Sequence, residues 1–358
     1  MPKKKELSVI ITVFNLSDVL IPCLKSIENQ SVKPLEVIII DDGSTDSSSQ
    51  IIEQFLIRNP NWECFYTNNK GVSSARNFGV RKAKGEYLLI LDGDDVFDKN
   101  FFSLMLNETK SSPDIVICGA WELDNLTNLS VPLYWNIRTK YLPKESGFSA
   151  EQLDGNVFYS FMGWAWDKMY RREFLIKNDL FFPELHNSED LVFVYESLVL
   201  AKSIRILKDR LIFHRVNRSN SLSNSLAKYP KEYTKALDYI EKALKKSPEI
   251  FSREKQCYLA WKADFSLWAI KNSNQDVTSE DIRELNSWIV MSGEKSRLFP
   301  LLKIRMKLRF VFQNGFFLAD IADLFSSCIK FGPRRNLTRL LSFIGGRLKK
   351  IQFTKKEH

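Results

Sequence analysis

Leu88-Leu89-Ile90-Leu91-Asp92-Gly93-Asp94-Asp95 is an apolar run that ends abruptly in three carboxylates. Its length and richness are those of a buried strand. A core does not tolerate unpaired carboxylates, so Asp92, Asp94 and Asp95 mark the place where the strand leaves the sheet. Residues two apart in an extended segment project to one side, which lets Asp92 and Asp94 face a single point. Gly93 between them would let a ligand approach the backbone closely. Two hard oxygen donors on one rim suit Mg²⁺ or Mn²⁺, which keeps waters and takes further ligands from substrate phosphates. A solvated acidic turn explains an isolated Asp-Gly-Asp equally well.

The same texture repeats upstream. Leu7 to Phe14 reads as a buried strand, followed by Ser17 as a helix N-cap and by Leu20, Cys23, Leu24 and Ile27 at helical spacing. Pro34 precedes a second strand, Leu35 to Ile40, which ends in Asp41-Asp42. Ile51, Ile52, Phe55 and Leu56 mark the next helix, and Glu63 to Tyr66 a weaker strand. Gly71 opens a further helical pattern that carries Arg76, and the strand over Glu86 to Leu91 follows it. Strands alternating with helices at this spacing predict βαβ units and a mostly parallel sheet. Such sheets bind ligands outside the carboxyl ends of their strands. Asp41-Asp42 and Asp92/Asp94 then share one rim, which lowers the odds of a solvated turn for both. Arg76, near a helix start that favours anions, suits a diphosphate, a pairing with these carboxylates, or an ordinary surface salt bridge. No Gly-rich dinucleotide fingerprint and no Walker lysine motif occurs.

Downstream, Asp114 to Cys118 reads as a fifth strand, and 121–160 as a long irregular segment of the kind that forms functional loops. Trp164 and Trp166 then bring two indoles together, suited to stacking on a sugar ring or to core packing. Ser188 reads as the cap of an apolar helix with Glu189 and Asp190 in its first turn, a purely structural account of both acids. A strand at Arg210 to Phe213 leads to His214 and Arg218, either a phosphate-binding lid or an ordinary neutral histidine with basic neighbours. From Tyr229 the pattern is helical.

At 358 residues the chain is long enough for about two or three domains. Its five cysteines are scattered, form no metal-type pair and suit reduced thiols in a cytoplasmic protein. No signal peptide and no membrane span is expected. The net charge of +9 is concentrated after Phe299. There Leu337, Leu340, Leu341, Ile344 and Leu348 share a segment with six basic residues from Arg334 to Lys350, a basic amphipathic helix of membrane-surface type. Packing on a second copy of the chain is the rival for that stripe, and nucleic acid is not an expected partner because no docking motif accompanies the charge.

In order along the chain, SVIITVFN at 8–15, DDGSTD at 41–46, NKGVSSARNFG at 69–79, LDGDD at 91–95, WDKMYRR at 166–172, ED at 189–190 and HRVNRSNSLS at 214–223 resemble the motifs of the family 2 glycosyltransferases, inverting nucleotide-sugar enzymes of the GT-A fold. The resemblance implies a Rossmann-like α/β catalytic domain over 1–225, with a nucleotide-binding half (1–120) and an acceptor-binding half (121–225). Residues 226–358 follow as a helical region. It also implies a nucleotide-sugar donor, with UDP the expected nucleotide, and a glycan or lipid-linked acceptor. By position, Asp42 would bind the base with Asp41 beside it, and Arg76 would lie near the base or diphosphate. Asp92 and Asp94 would form the metal motif, with Asp94 the direct ligand of Mn²⁺ or Mg²⁺. His214 and Arg218 would meet the diphosphate, and Asp190 would be the catalytic base. Trp164, Trp166 and Glu189 are the candidates for the acceptor side. Thr12 and Asp167 depart from the usual Pro and Asn, and Asp167 is a candidate for altered acceptor choice. Such an enzyme would work in the cytoplasm, peripherally on the inner face of the plasma membrane. The competing reading is a non-catalytic nucleotide-sugar-binding subunit, disfavoured because Asp94 and Asp190 are both present.

Overall fold

The computed structural model describes residues 6–218, 228–272 and 279–292. Strands β1 (Leu7–Val13), β2 (Glu36–Asp41), β3 (Trp62–Tyr66) and β4 (Tyr87–Asp92) are parallel neighbours in the order β3-β2-β1-β4. The sheet continues through β9 (Lys168–Arg171), antiparallel to both its neighbours, then β6 (Ile115–Asp124), β10 (Ile204–Val216) and the short β5 (Val96–Phe97). Two further short strands, β7 (Ser130–Pro132) and β8 (Gly147–Phe148), pair with β6 and β10.

Every residue of β1 and β2 is buried, as in sheets covered on both faces. Val9, Ile11, Val37, Ile39, Leu89 and Leu91 share a core with α1 (Leu20–Glu28) and α2 (Ser48–Leu56). Alternate positions face α3 (Val72–Lys82): a Cβ on Gly79 would lie 2.4 Å from Ile10 Cγ2, so this helix sits hard against the other face. Helices α4 (Phe101–Asn107), α5 (Val157–Ser160), α6 (Arg172–Lys177) and α7 (Glu189–Leu200) complete the layers.

Two helices beyond residue 225 belong to the same compact unit, which runs to Gln275. Tyr233, Leu237, Ile240 and Leu244 of α8 (Glu232–Lys245) are buried, and α8 packs on α7. Helix α9 (Pro248–Asn272) brings Tyr258 and Trp261 onto Phe158 of α5. The expected boundary at 225 therefore moves, because this apolar stripe packs into the same core. The second unit, Asp276–His358, is described only at α10 (Ser279–Met291) and the residue that follows it. The basic tail from Arg334 and the segment 219–227 lie outside the described residues. No helix among the described residues is long and apolar enough to cross a membrane.

Several local expectations change. Helix α1 starts at Leu20, without Ser17 as its cap; the Ser17 N–H instead donates to Asp46 Oδ2 at 2.9 Å. Ser188 does not cap α7: it has φ 64°, and its Oγ donates to Asn187 Oδ1 at 3.0 Å. The stretch 121–160 is not one structureless loop, since it holds the end of β6, then β7, β8 and α5. Gly93 does not leave room for a ligand. The space of its missing Cβ is closed by Leu16 Cδ1 at 2.9 Å, Thr12 O at 3.0 Å and Val13 Cγ2 at 3.2 Å.

Candidate active site

Strand register sets the rim. Val13 lies opposite Asp41 and Thr12 opposite Asp92, so β1, β2 and β4 end level and deliver both acidic clusters to one edge. Asp41 is spent internally: its oxygens accept the Ser44 N–H at 2.9 Å and the Ser49 hydroxyl at 2.6 Å. It anchors the loop into α2 and is corrected from ligand to scaffold. Asp42 Oδ1 accepts from the Thr67 hydroxyl (2.6 Å) and the Lys70 N–H (2.8 Å), and its Oδ2 from the Gly71 N–H (2.7 Å). Oδ2 retains capacity for one more donor. Gly71, at φ 89°, allows the turn that aims its N–H there.

Arg76 is the hub. Its side chain is only 4% exposed and reaches three acids from two segments distant in sequence. Nη2 donates to Asp92 Oδ1 at 2.8 Å, while Nη1 donates to Glu189 Oε1 at 2.8 Å and to Asp190 Oδ1. Burial works against the guanidinium charge, but Asp190, Asp92 and Glu189 outweigh it and hold the proton more tightly than usual. Asn77 fastens the approach to α7 by exchanging hydrogen bonds with the Phe182 backbone, at 2.7 and 2.8 Å. Burial raises the Asp190 carboxyl well above the ordinary range; Arg76 opposes this, and Glu189 and Asp92 add to it. One cation facing three carboxylates cannot neutralise them all.

A second cluster adjoins it. Asp94 Oδ2 accepts from Arg218 Nη1 at 2.6 Å, and the Asp94 carbonyl accepts from Arg215 Nε at 2.9 Å. Burial, then the Asp95 and Asp92 charges, push the Asp94 carboxyl up to about 6 against the pull of Arg218. Asp95 is fully buried and receives the Arg215 N–H at 2.9 Å and His214 Nδ1 at 3.1 Å. Burial would strip the proton from His214, but Asp95 and then Asp94 and Asp92 raise it to about 9, so the ring is cationic at neutral pH. Asp95 and Arg215 escaped the sequence reading as site residues. The third acid of LDGDD and the Arg between His214 and Arg218 were the available signals.

Three acceptor-side expectations are corrected. Trp166 is 2% exposed and stacks on His214 at 4.6 Å, so a substrate cannot reach its face. Glu189 is turned to Arg76. Asp167 is fully buried against Lys168 at 2.5 Å and faces no acceptor. Trp164 is partly buried beside Trp166.

Among the described residues, no three His, Cys, Asp or Glu side chains form a ready metal cage. A cation such as Mg²⁺ or Mn²⁺ takes one or two carboxylates and completes its shell with water and phosphate. Burial first, and then the Asp95 and Asp92 charges, raise the Asp94 carboxyl, and a cation there would offset the charge part. Asp92 is engaged by Arg76 and Asp94 by Arg218, so the two acids are held by different arginines.

Residues 8–177 match the family model for glycosyl transferase family 2. The poly(ribitol-phosphate) beta-glucosyltransferase of Bacillus spizizenii is 27% identical over 320 residues, covering 86% of this chain and 49% of that protein. The cholesterol galactosyltransferase of Borreliella burgdorferi is 28% identical over 236 residues, 63% of each chain. The chain thus spans less than two thirds of the length of either relative. A Staphylococcus aureus TarS fragment, residues 1–349, solved in complex with UDP-GlcNAc, superposes with a TM-score of 0.66 at 22% identity, covering 91% of this chain and 92% of that one. The likeness places the central sheet and its flanking helices in the GT-A fold, with a helical C-terminal region after it. With the rim motifs in family order and the family model spanning β1 to α6, residues 8–177 are the part of the chain that matches glycosyl transferase family 2.

Proposed function

We propose that this chain transfers a sugar from a UDP-sugar to a hydroxyl of a cell-envelope glycan or lipid-linked acceptor, with inversion, in a single displacement. The observation that carries the reading is the Arg76 hub, which joins Asp92 of the rim to Asp190, 114 positions beyond the arginine in sequence. The names of the relatives support the chemistry: one glucosylates poly(ribitol phosphate), and TarS was solved with UDP-GlcNAc. Asp42 Oδ2 accepts from the base. Arg218 and cationic His214 meet the diphosphate. Asp94, with Asp92 beside it, would hold Mn²⁺ or Mg²⁺, which supplies charge stabilisation for the departing nucleotide diphosphate. Asp190 takes the acceptor's proton, and burial, which raises its carboxyl above the ordinary range, makes it a stronger base than an exposed carboxylate. A thermal-shift screen of UDP-sugars with and without Mn²⁺, followed by transfer assays on the stabilising donor, tests this. No stabilisation by any of them would sink it.

Two expected results belong here. Asp94→Ala should abolish the Mn²⁺-dependent part of the donor-induced thermal shift and leave the fold intact. An undiminished Mn²⁺ response would remove Asp94 from the metal site. Glu189→Gln deletes a negative charge and a hydrogen bond that both raise Asp190. The base acts only when deprotonated, so the acidic limb of kcat should move to lower pH. A limb that stays or moves up would contradict the assignment of that limb to Asp190.

A further inference from the structure

A chain of four rings leads away from the rim. His214 stacks on Trp166 at 4.6 Å and 17°, and Trp166 stacks on Trp164 at 4.8 Å and 22°. Trp164 then meets Trp135 at 5.0 Å, tilted by 59°. The inner end of this ladder is bonded to Asp95. The outer end is open, with Trp135 38% and Tyr134 54% exposed. The last two indoles are not a closed stack, because at 59° they cannot lie face to face.

A buried polar node fixes these rings. Lys168 and Asp167 pair at 2.5 Å with no exposure. Lys168 Nζ donates to the Trp164 carbonyl at 2.7 Å and the Met162 carbonyl at 3.0 Å. Asn136 Nδ2 donates to Asp167 Oδ2 at 3.2 Å and to the Cys118 carbonyl at 3.0 Å. Asn136 follows Trp135, and Asp167 follows Trp166, so one node sets the backbone beside every indole. A buried ion pair is often no more stabilising than apolar side chains of the same volume. What this one visibly does is hold the ring positions.

On the glycosyltransferase reading, on which this rests, we infer that Trp135 and Trp164 form the acceptor subsite and that its occupant is a pyranose ring. The electron-rich indole face attracts the weakly positive C–H groups of a pyranose, which lie on one rigid face. A flexible polyol offers no such face. A lipid chain would not need fixed ring angles, and the inner ring of the ladder, His214, is bonded to Asp95 of the rim.

The test is saturation-transfer NMR on the full chain with the methyl β-pyranosides of glucose, galactose and N-acetylglucosamine, and with ribitol as control. At least one pyranoside should receive transfer at its ring C–H groups, and ribitol none. Trp135→Phe should keep the signal, and Trp135→Ala should weaken binding roughly fivefold to tenfold. The UDP-sugar thermal shift should be the same in all three proteins. Absence of that shift in the wild type would count against the proposed function, separately from the subsite. Equal pyranoside binding by Trp135→Ala, or none by the wild type, overturns the subsite. So does a Trp135→Ala defect confined to binding of phosphatidylglycerol vesicles, which would make the indole pair a lipid contact.

Discussion

Asp190→Asn should lower turnover by about 10²–10⁴-fold, the usual contribution of a positioned general base. Donor binding should be retained. The substitution is nearly isosteric and keeps an oxygen for Arg76, but an amide cannot take the acceptor's proton. The position supports the role over a purely helix-terminal one. Asp190 lies in the first turn of α7, whose N-terminus favours anions, yet burial and the neighbouring Glu189 and Asp92 raise its carboxyl regardless. Ser188, which would have shared the capping work, bonds to Asn187 instead. Single-turnover transfer with the donor identified by thermal shift measures the effect. Unchanged turnover with only a lower melting temperature would assign Asp190 to helix stability.

The parallel half of the fold was legible because buried strands write themselves as unbroken apolar runs. Leu7–Val13, Glu36–Asp41 and Tyr87–Asp92 differ from the expected bounds by one residue at most at each end. The level ending of those strands was legible too, since acids at the end of an apolar run have few other places to go. Side-chain partners were not. Nothing in the pattern around Arg76 says that its two terminal nitrogens face Glu189 and Asp190 on one side and Asp92 on the other. That follows from α3 packing close through Gly79, and from Asn77 drawing in the Phe182 backbone. Gly93 and Asp167 misled for one shared reason: a residue type suited to ligand contact is equally suited to tight packing or to a buried pair. The cap expected at Ser17 failed because the helix begins later, with Val19 before its first residue, and the one at Ser188 because its hydroxyl turns to Asn187.

Arg76→Ala should cost about 3–5 kcal/mol of stability, the usual effect of removing one partner from a buried ionic cluster. It should also abolish transfer. The arginine side chain is 4% exposed, and its loss leaves the Asp92, Glu189 and Asp190 carboxylates facing one another without the cation that joins them. The defect should depend on pH with a definite sign. Without Arg76, the pull that opposes burial at Asp190 is gone, and its carboxyl rises further above the unfolded value. The folded variant then binds more protons than the unfolded chain, so its stability falls as pH rises through the raised value. The gap to wild type should accordingly be widest at high pH and shrink as pH falls and Asp190 takes up a proton. Arg76→Lys should recover part of the stability and little of the activity. One ammonium restores a charge, but it lacks the planar fork whose Nη2 holds Asp92 while Nη1 holds Glu189 and Asp190. Thermal melts of both variants from about pH 5 to about pH 9, alongside transfer assays at each pH, decide the matter. A pH-independent loss of stability would mean that Arg76 matters for packing alone. Full activity in Arg76→Lys would mean that the rim and the base do not need the bridge between them.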